Sequence, residues 1–343
     1  MNKKLLIVLS VVVVLLALIV GVLAVLFVTK NKGEEEDKST DENVAADDQQ
    51  GEILEEDVVY KKDSTTVPNW VKSMDNGKKG PWESPIYIAF SQDGLTFTDE
   101  KLFIDHAGVA NVIMTDDGEL IATFQYFSYT NEEMFDVIAY TVSEDYGQTW
   151  SVVKKLRFSG FNNNFGDLAG PKPVDPTLVQ LEDGTFRLYF TYEQEGDGFP
   201  QLYSAKAGSI DGTFANEGKQ LTTQEILLDP AAIYFKGEWH HYTVIQEQGA
   251  SAEGFIDNVH STSDTGLNFT RQDDISLKMS MLGCVIEDDG ELVFYGSGEG
   301  IKSARSNDGY AWTMESGNRI DGADPGVAKL ADATYVMIYT KMN

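Results

Sequence analysis

The chain is almost devoid of cysteine: Cys284 is the only one among 343 residues. A single thiol cannot close an internal disulfide. Its setting, LGCVIE, is apolar, which reads as a buried and inert side chain. Basic residues are also scarce. Lys and Arg number 26 against 55 Asp and Glu, a formal net charge of −29. That balance excludes nucleic acid as a partner, because phosphate recognition needs a basic surface. Its plain use is solubility. Charge of either sign is missing from Leu5 to Val28, LLIVLSVVVVLLALIVGVLAVLFV. A bilayer core of about 30 Å takes roughly 20 helical residues, so this run is long enough to cross it. It is longer than the apolar part of a cleavable signal, no small-x-small site closes it, and no Cys follows to carry a lipid. Residues 1–32 therefore read as an uncleaved signal anchor, a cleaved signal being the alternative. The membrane is expected as a partner through this N-terminal helix. Lys3 and Lys4 precede it and Lys30 and Lys32 follow, so basic residues barely bias its orientation. A large domain after such a span is usually translocated, which places residues 31–343 outside the cytoplasm. Residues 33–66 are rich in Asp and Glu and poor in apolar side chains, the composition of a disordered, self-repelling linker.

What the sequence does contain is repetition. SEDYGQTW (143–150) holds a Ser, an Asp, a Gly and an aromatic, and it follows the β-branched, aromatic run DVIAYTV. The Asp can bond backbone amides two residues on, Gly147 supplies a positive φ, and Trp150 can pack beneath the turn. SQDGLTF (91–97), SIDGTF (209–214), SDTGLNF (263–269) and SNDGYAW (306–312) repeat the pattern. A second repeat interleaves with the first. It covers 109–127, 175–193, 229–247, 281–299 and 324–342. Each copy is a strand, a tight turn (usually Asp-Gly) and a strand ending in aromatics. Fixed-period repeats decide the fold before any other signal.

Residues 67–343 allow roughly 55 residues for each of five repeats, enough for a four-stranded propeller blade. The first hairpin, 85–97, has no inner partner of its own, and the last, 324–342, has no outer one. Together they make a fifth blade, and this pairing closes the ring and protects its edges. The expected fold class is all-β: a five-bladed β-propeller preceded by a transmembrane helix and an acidic linker. SEDYGQTW resembles the Asp-box of sialidases and other bacterial-neuraminidase-repeat propellers. The five-fold count and the inner strands that start with Asp-Pro resemble glycoside hydrolase family 43 and its relatives. The resemblance implies a propeller in which the Asp-box lies away from the ligand and is structural.

On the ligand face of such a ring stand the starts of the innermost strands and the loops joining second to third strands. Asp175, Asp229 and Asp324 share one repeat position at an inner-strand start, where the remaining blades place Val109 and Met281. Three converging carboxylates are costly unless they bind a cation, share protons or hold a hydroxylated ligand. The bland account is that Asp-Pro caps the strand, Asp bonding amides and Pro fixing φ. Glu193 and Glu299 match in repeat position and Glu247 is one residue off. Glycosidases need two carboxyl groups flanking the bond, one acid and one base or nucleophile. Asp175, Asp229, Asp324, Glu193 and Glu247 are thus the catalytic candidates. The family resemblance implies an Asp base in the first blade, but Val109 stands there, with Asp105 and His106 just upstream. Asp175 matches the Asp that tunes the acid, and Asp229 stands where a Glu acid is expected. Sialidases use an arginine triad. Arg157, Arg271 and Arg319 lie in candidate ligand-face loops without the family pattern around them. The loop 155–173 offers Phe158, Phe161, Phe165 and three Asn for sugar stacking and hydroxyl bonding. Asp105, His106, Phe161, Arg319 and Glu299 are therefore the ligand-binding candidates. His240 and His241 lack metal-ligand partners at useful spacing. No metal site and no cofactor are expected, with Ca²⁺ the one cation such carboxylates could take.

Three functions compete on these residues. The first is a membrane-anchored, extracytoplasmic carbohydrate-active hydrolase, family 43-like or sialidase-like, acting on a glycan or glycoconjugate. It needs two ligand-face carboxylates about 5 to 9.5 Å apart. The second is a non-catalytic propeller that binds glycan or protein, with aromatics and no such pair. The third is a structural component of the cell envelope, which requires a large apolar patch.

Overall fold

The computed structural model describes residues 66–74, 81–162, 170–246, 258–277, 279 and 281–341. The candidate span Leu5–Val28 and the linker to Thr65 lie outside them. Among the described residues no helix is long and apolar enough to cross a membrane.

Among the described residues, twenty-one strands form five sheets, antiparallel but for one added edge strand, arranged as the blades of a propeller. The hairpin of β1 (Ile86–Ser91) and β2 (Thr98–Ile104) comes first. Blade 1 follows as β3 (Ala107–Met114), β4 (Leu120–Phe127), β5 (Phe135–Ser143) and β6 (Lys154–Lys155). Blade 2 holds β8 (Val174–Gln180), β9 (Phe186–Tyr192), β10 (Gln201–Ala207) and β11 (Thr213–Leu221), with β7 (Arg157–Ser159) added in parallel to its outer edge. Blade 3 is β12 (Ile226–Phe235), β13 (Glu238–Gln246), β14 (Asn258–Ser263) and β15 (Thr270–Arg271). Blade 4 is β16 (Met281–Asp288), β17 (Glu291–Gly298), β18 (Gly300–Ser306) and β19 (Thr313–Met314). Blade 5 takes β20 (Ala323–Lys329) and β21 (Tyr335–Thr340) from the end of the chain and β1 and β2 from its beginning. Within it β1 runs antiparallel to β21, from Ile86 opposite Thr340 to Ser91 opposite Tyr335.

The inner strands β3, β8, β12, β16 and β20 pack side by side around the axis. Their apolar runs meet their neighbours' second strands, so the core is a set of clusters between blades. Backbone bonds tie the inner ring as well: the Leu178 amide donates to Asn111 Oδ1 at 3.0 Å, and the Val327 amide to Cys284 Sγ at 3.1 Å. Burial pushes the Cys284 thiol up to about 12, so it stays protonated and inert. Gly283 is required where two inner strands almost touch, since a Cβ there would lie 2.3 Å from the Pro325 carbonyl oxygen.

The Ser-Asp-Gly turns all lie on one face, called lower here, where third strands end. In blade 1 Ser143 Oγ accepts the Gly147 amide at 2.8 Å, Asp145 caps the Thr149 amide, and the Trp150 indole donates to the Gly147 carbonyl at 3.1 Å. The Ser and Asp bonds recur at Ser91, Asp93 and Gly94 and at Ser306, Asp308 and Gly309, and the indole bond at Trp312. SDTGLNF departs from expectation. Thr265, not Asp264, occupies the capping position, and its hydroxyl accepts the Leu267 amide at 3.3 Å.

These glycines do more than turn the chain. Tyr189, Tyr242 and Tyr295 stand at one register position of the second strand, opposite Thr177, Ala231 and Cys284. Each buried hydroxyl donates to the turn glycine of the next blade: Gly266 at 2.7 Å, Gly309 at 2.7 Å and Gly94 at 3.0 Å. At Gly309 a Cβ would lie 2.5 Å from the His240 ring and 2.9 Å from this hydroxyl. The equivalent positions Thr123 and Ile338 carry no such hydroxyphenyl group.

Candidate functional site

The upper face, where inner strands begin, is built on a repeated irregularity. Register slips between Gly108 and Asn111, Val174 and Thr177, Leu228 and Ala231, and Ala323 and Gly326. At each slip one residue adopts the left-handed conformation: Val109 (φ 48°), Asp175 (55°), Asp229 (49°) and Asp324 (49°). In blade 4 the slip falls between Leu282 and Cys284. Matching it to blade 3, where Ala231 faces Tyr242 as Cys284 faces Tyr295, makes Leu282 the counterpart of Asp229 and corrects the expectation of Met281. Left-handed backbone favours Gly, Asn and Asp, so the bulge itself accounts for a short polar residue. It does not account for a carboxylate, the most costly of the three to enclose.

The three carboxylates converge. The Asp229 amide donates to Asp175 Oδ2 at 3.4 Å. Ser297 Oγ accepts the Asp324 amide at 2.8 Å and reaches Asp324 Oδ1 at 3.4 Å. Asp229 is 9% exposed, and its Oδ2 makes no hydrogen bond. Asp175 and Asp324 keep part of their surface exposed. Burial, then the charges of Asp175 and Asp324, hold the Asp229 carboxyl well above the usual carboxylate range. Burial and the charge of Asp175 bring Asp324 up to about 6, against the hydroxyls of Ser297 and Thr340. Burial also raises Asp175, opposed by the Thr191 hydroxyl and the Asp229 amide. The group behaves as coupled acids that keep protons where a single exposed Asp would lose them.

Other sequence candidates are placed as follows. Glu193 lines a cleft of about 320 Å³ with Lys172, Val174, Thr191 and Tyr192, beside Asp175. Glu299 is exposed at the tip between β17 and β18, and Glu247 and Phe165 lie outside the described residues. Asp105 and His106 join β2 to β3 on the upper face. His106 Nδ1 lies 2.8 Å from the Trp82 carbonyl, and its ring stacks on Tyr129 at 3.6 Å. Phe161 is half-buried against Phe190 and Tyr192, continuing the blade 2 core. The Arg319 guanidinium, 6% exposed, turns back on the Ser316 and Gly317 carbonyls of its own loop. Arg271 is taken by Asp274 and Glu225. Arg157 belongs to the lower side, not the ligand face, where it donates to the Asp211 carbonyl. The three arginines are thus dispersed and engaged.

Sequence reasoning missed one group. Lys172 Nζ bonds Asp136 Oδ2 at 2.8 Å, and Gln125 Nε2 bonds Asp136 Oδ1 at 2.8 Å. The pair joins blade 1 to the lead-in of β8, with the lysine side chain 5% exposed. The available signal was a rare basic residue just ahead of Asp175. Among the described residues no three His, Cys, Asp or Glu side chains are placed to hold a metal ion.

The fold is shared with solved glycosidase structures. A β-xylosidase is 13% identical over 69% of this chain and 93% of its own, with a TM-score of 0.50. A thermostable family-43 glycoside hydrolase is 13% identical over 68% and 88%, with a TM-score of 0.50. A putative glycosidase from Bacteroides thetaiotaomicron is 11% identical over 68% and 86%, with a TM-score of 0.51. At such identity the likeness is one of fold. No protein-family model and no curated protein matches the chain.

Proposed function

We propose that the protein is a carbohydrate-active propeller that hydrolyses a glycosidic bond on its upper face. The observation that supports this most is the choice of Asp three times over at a left-handed position where Asn or Gly would fit without burying charge. In this reading Asp229, held protonated, gives its proton to the leaving oxygen. Asp175 and Asp324 set that proton's affinity, and Glu193 in the adjoining cleft activates water. Residues 1–32 anchor the domain, 33–66 hold it off the bilayer, and the propeller acts outside the cytoplasm. The uncharged run from Leu5 to Val28 supports that placement.

The test is hydrolysis of a panel of aryl-glycosides, with and without chelator, by the purified protein and its Asp229→Asn variant. Turnover lost in the variant, with its fold intact by circular dichroism, is the expected result. Unchanged turnover would remove Asp229 from the mechanism. A second reading, glycan binding without turnover, draws on Val109: the blade 1 axial position offers no carboxylate as base. Binding of oligosaccharides with no hydrolysis of any glycoside would select it.

A further inference from the structure

The axial carboxylates are met by uncharged groups alone. Asp175 has the Asp229 amide at 3.4 Å, with the Thr191 hydroxyl beside it, and Asp324 has the Ser297 hydroxyl at 3.4 Å. Asp229 has only the two acids beside it, and its Oδ2, in a side chain more than nine-tenths buried, lacks any hydrogen-bond partner. Nearby cations are engaged elsewhere. Lys172 pairs with Asp136 at 2.8 Å, Lys219 with Asp197 at 2.5 Å, and Arg319 turns to its own loop. No Lys, Arg or His is among the groups that set the proton affinity of the three. A desolvated cluster of one sign is relieved by an opposite charge, by protons, or by both.

We propose that the upper pocket selects a cationic sugar, a glycan carrying a free, non-acetylated amino group, whose ammonium sits among Asp175, Asp229 and Asp324. This rests on the reading of the pocket as a glycan site. An ammonium has three N–H donors and no acceptor, so it suits three carboxyl groups and supplies the missing partner of Asp229 Oδ2. A sugar carboxylate would add repulsion, with the neighbouring arginines already bonded. A neutral hydroxyl donates a single hydrogen bond and brings no opposite charge.

Titration calorimetry on the intact protein tests this with di- to tetrasaccharides of β-1,4-linked glucosamine. Their N-acetylated forms and neutral β-1,4-linked glucose oligomers serve as controls. The amine form should bind at least ten-fold more tightly than either control. Binding should release protons, read from two buffers of different ionisation enthalpy, as Asp324 ionises against the ammonium while Asp229 keeps the proton it donates. The preference should vanish in Asp229→Asn, or in Asp324→Asn should the first variant not fold. Equal or weaker binding of the amine form overturns the amine proposal while leaving a glycan site in place. Binding of none of the sugars, with no glycoside turned over, overturns both. Tight binding of calcium chloride alone, displaced by chelator and competing with the amine, also overturns it, because the compensating charge is then a metal.

Discussion

Val109 is the most strained residue of the axial set. It is β-branched, yet it holds the left-handed conformation that its counterparts meet with Asp. Val109→Gly should raise stability by about 1 kcal/mol, read as a higher midpoint in urea, because the strain disappears without loss of a backbone bond. An unchanged or lower midpoint would mean that its packing outweighs the backbone. Histidines in blade 3 make a second residue-scale case. His240 and His260 stack at 5.3 Å with ring nitrogens 3.1 Å apart, both almost fully buried. Burial, then the neighbouring His240, lowers His260 to about 4 from an ordinary 6.5. The unfolded chain therefore takes up a proton near pH 6.5 that the fold refuses until about pH 4, so stability falls as pH drops through that window. Asp324 works in the opposite sense, since its raised carboxyl favours the fold at low pH and loses that contribution as pH rises through about 6. His260→Gln isolates the first effect. Its thermal midpoint should fall less than the parent's between pH 7 and pH 4, by roughly 2–3 kcal/mol in free energy. Parallel curves would sink the assignment. Neither histidine's partner was legible in the sequence, because nothing local says that residues of two strands will stack. The Asp-Pro pairs were legible because a repeated dipeptide marks a repeated backbone need.

At the scale of elements, the lower hairpins act as wedges between blades. Trp150 is 3% exposed, meets Phe103 at 4.9 Å and ties its indole to the turn it follows. Trp150→Ala should cost roughly 3–5 kcal/mol of stability by urea denaturation. It should leave sugar affinity of the folded protein unchanged, since the proposed site lies on the other face. Loss of affinity at unchanged stability would mean that the turn is itself a site. The hairpins were readable from sequence because turn, Gly and aromatic anchor fall within one short window. Register was less readable. Thr265 supplanted Asp264 and Leu282 supplanted Met281, each by one residue, because spacing alone does not say where a bulge absorbs the extra position. The tyrosine bonds between blades and the Lys172–Asp136 pair were out of reach, since each joins strands from different repeats.

At the scale of the molecule, the proposed anchor has a direct test. Protease added to intact cells should release the propeller by cutting between residues 33 and 66, while a cytosolic marker stays whole. A propeller left uncut under those conditions would place it inside. The closure of the ring also bears on time. β1 and β2 are made first, but the strand that pairs with β1 is among the last. Tyr339 reaches Glu100 of β2 across 239 residues of chain. During synthesis the opening hairpin waits with an unpaired edge through the making of four complete blades, and such an edge invites other strands. Any anchor at the N-terminus would keep the waiting hairpins of neighbouring chains in one plane, where they meet one another more often than free chains do. A helper that shields this hairpin until β21 arrives would raise the yield of folded protein more than one acting on any later blade.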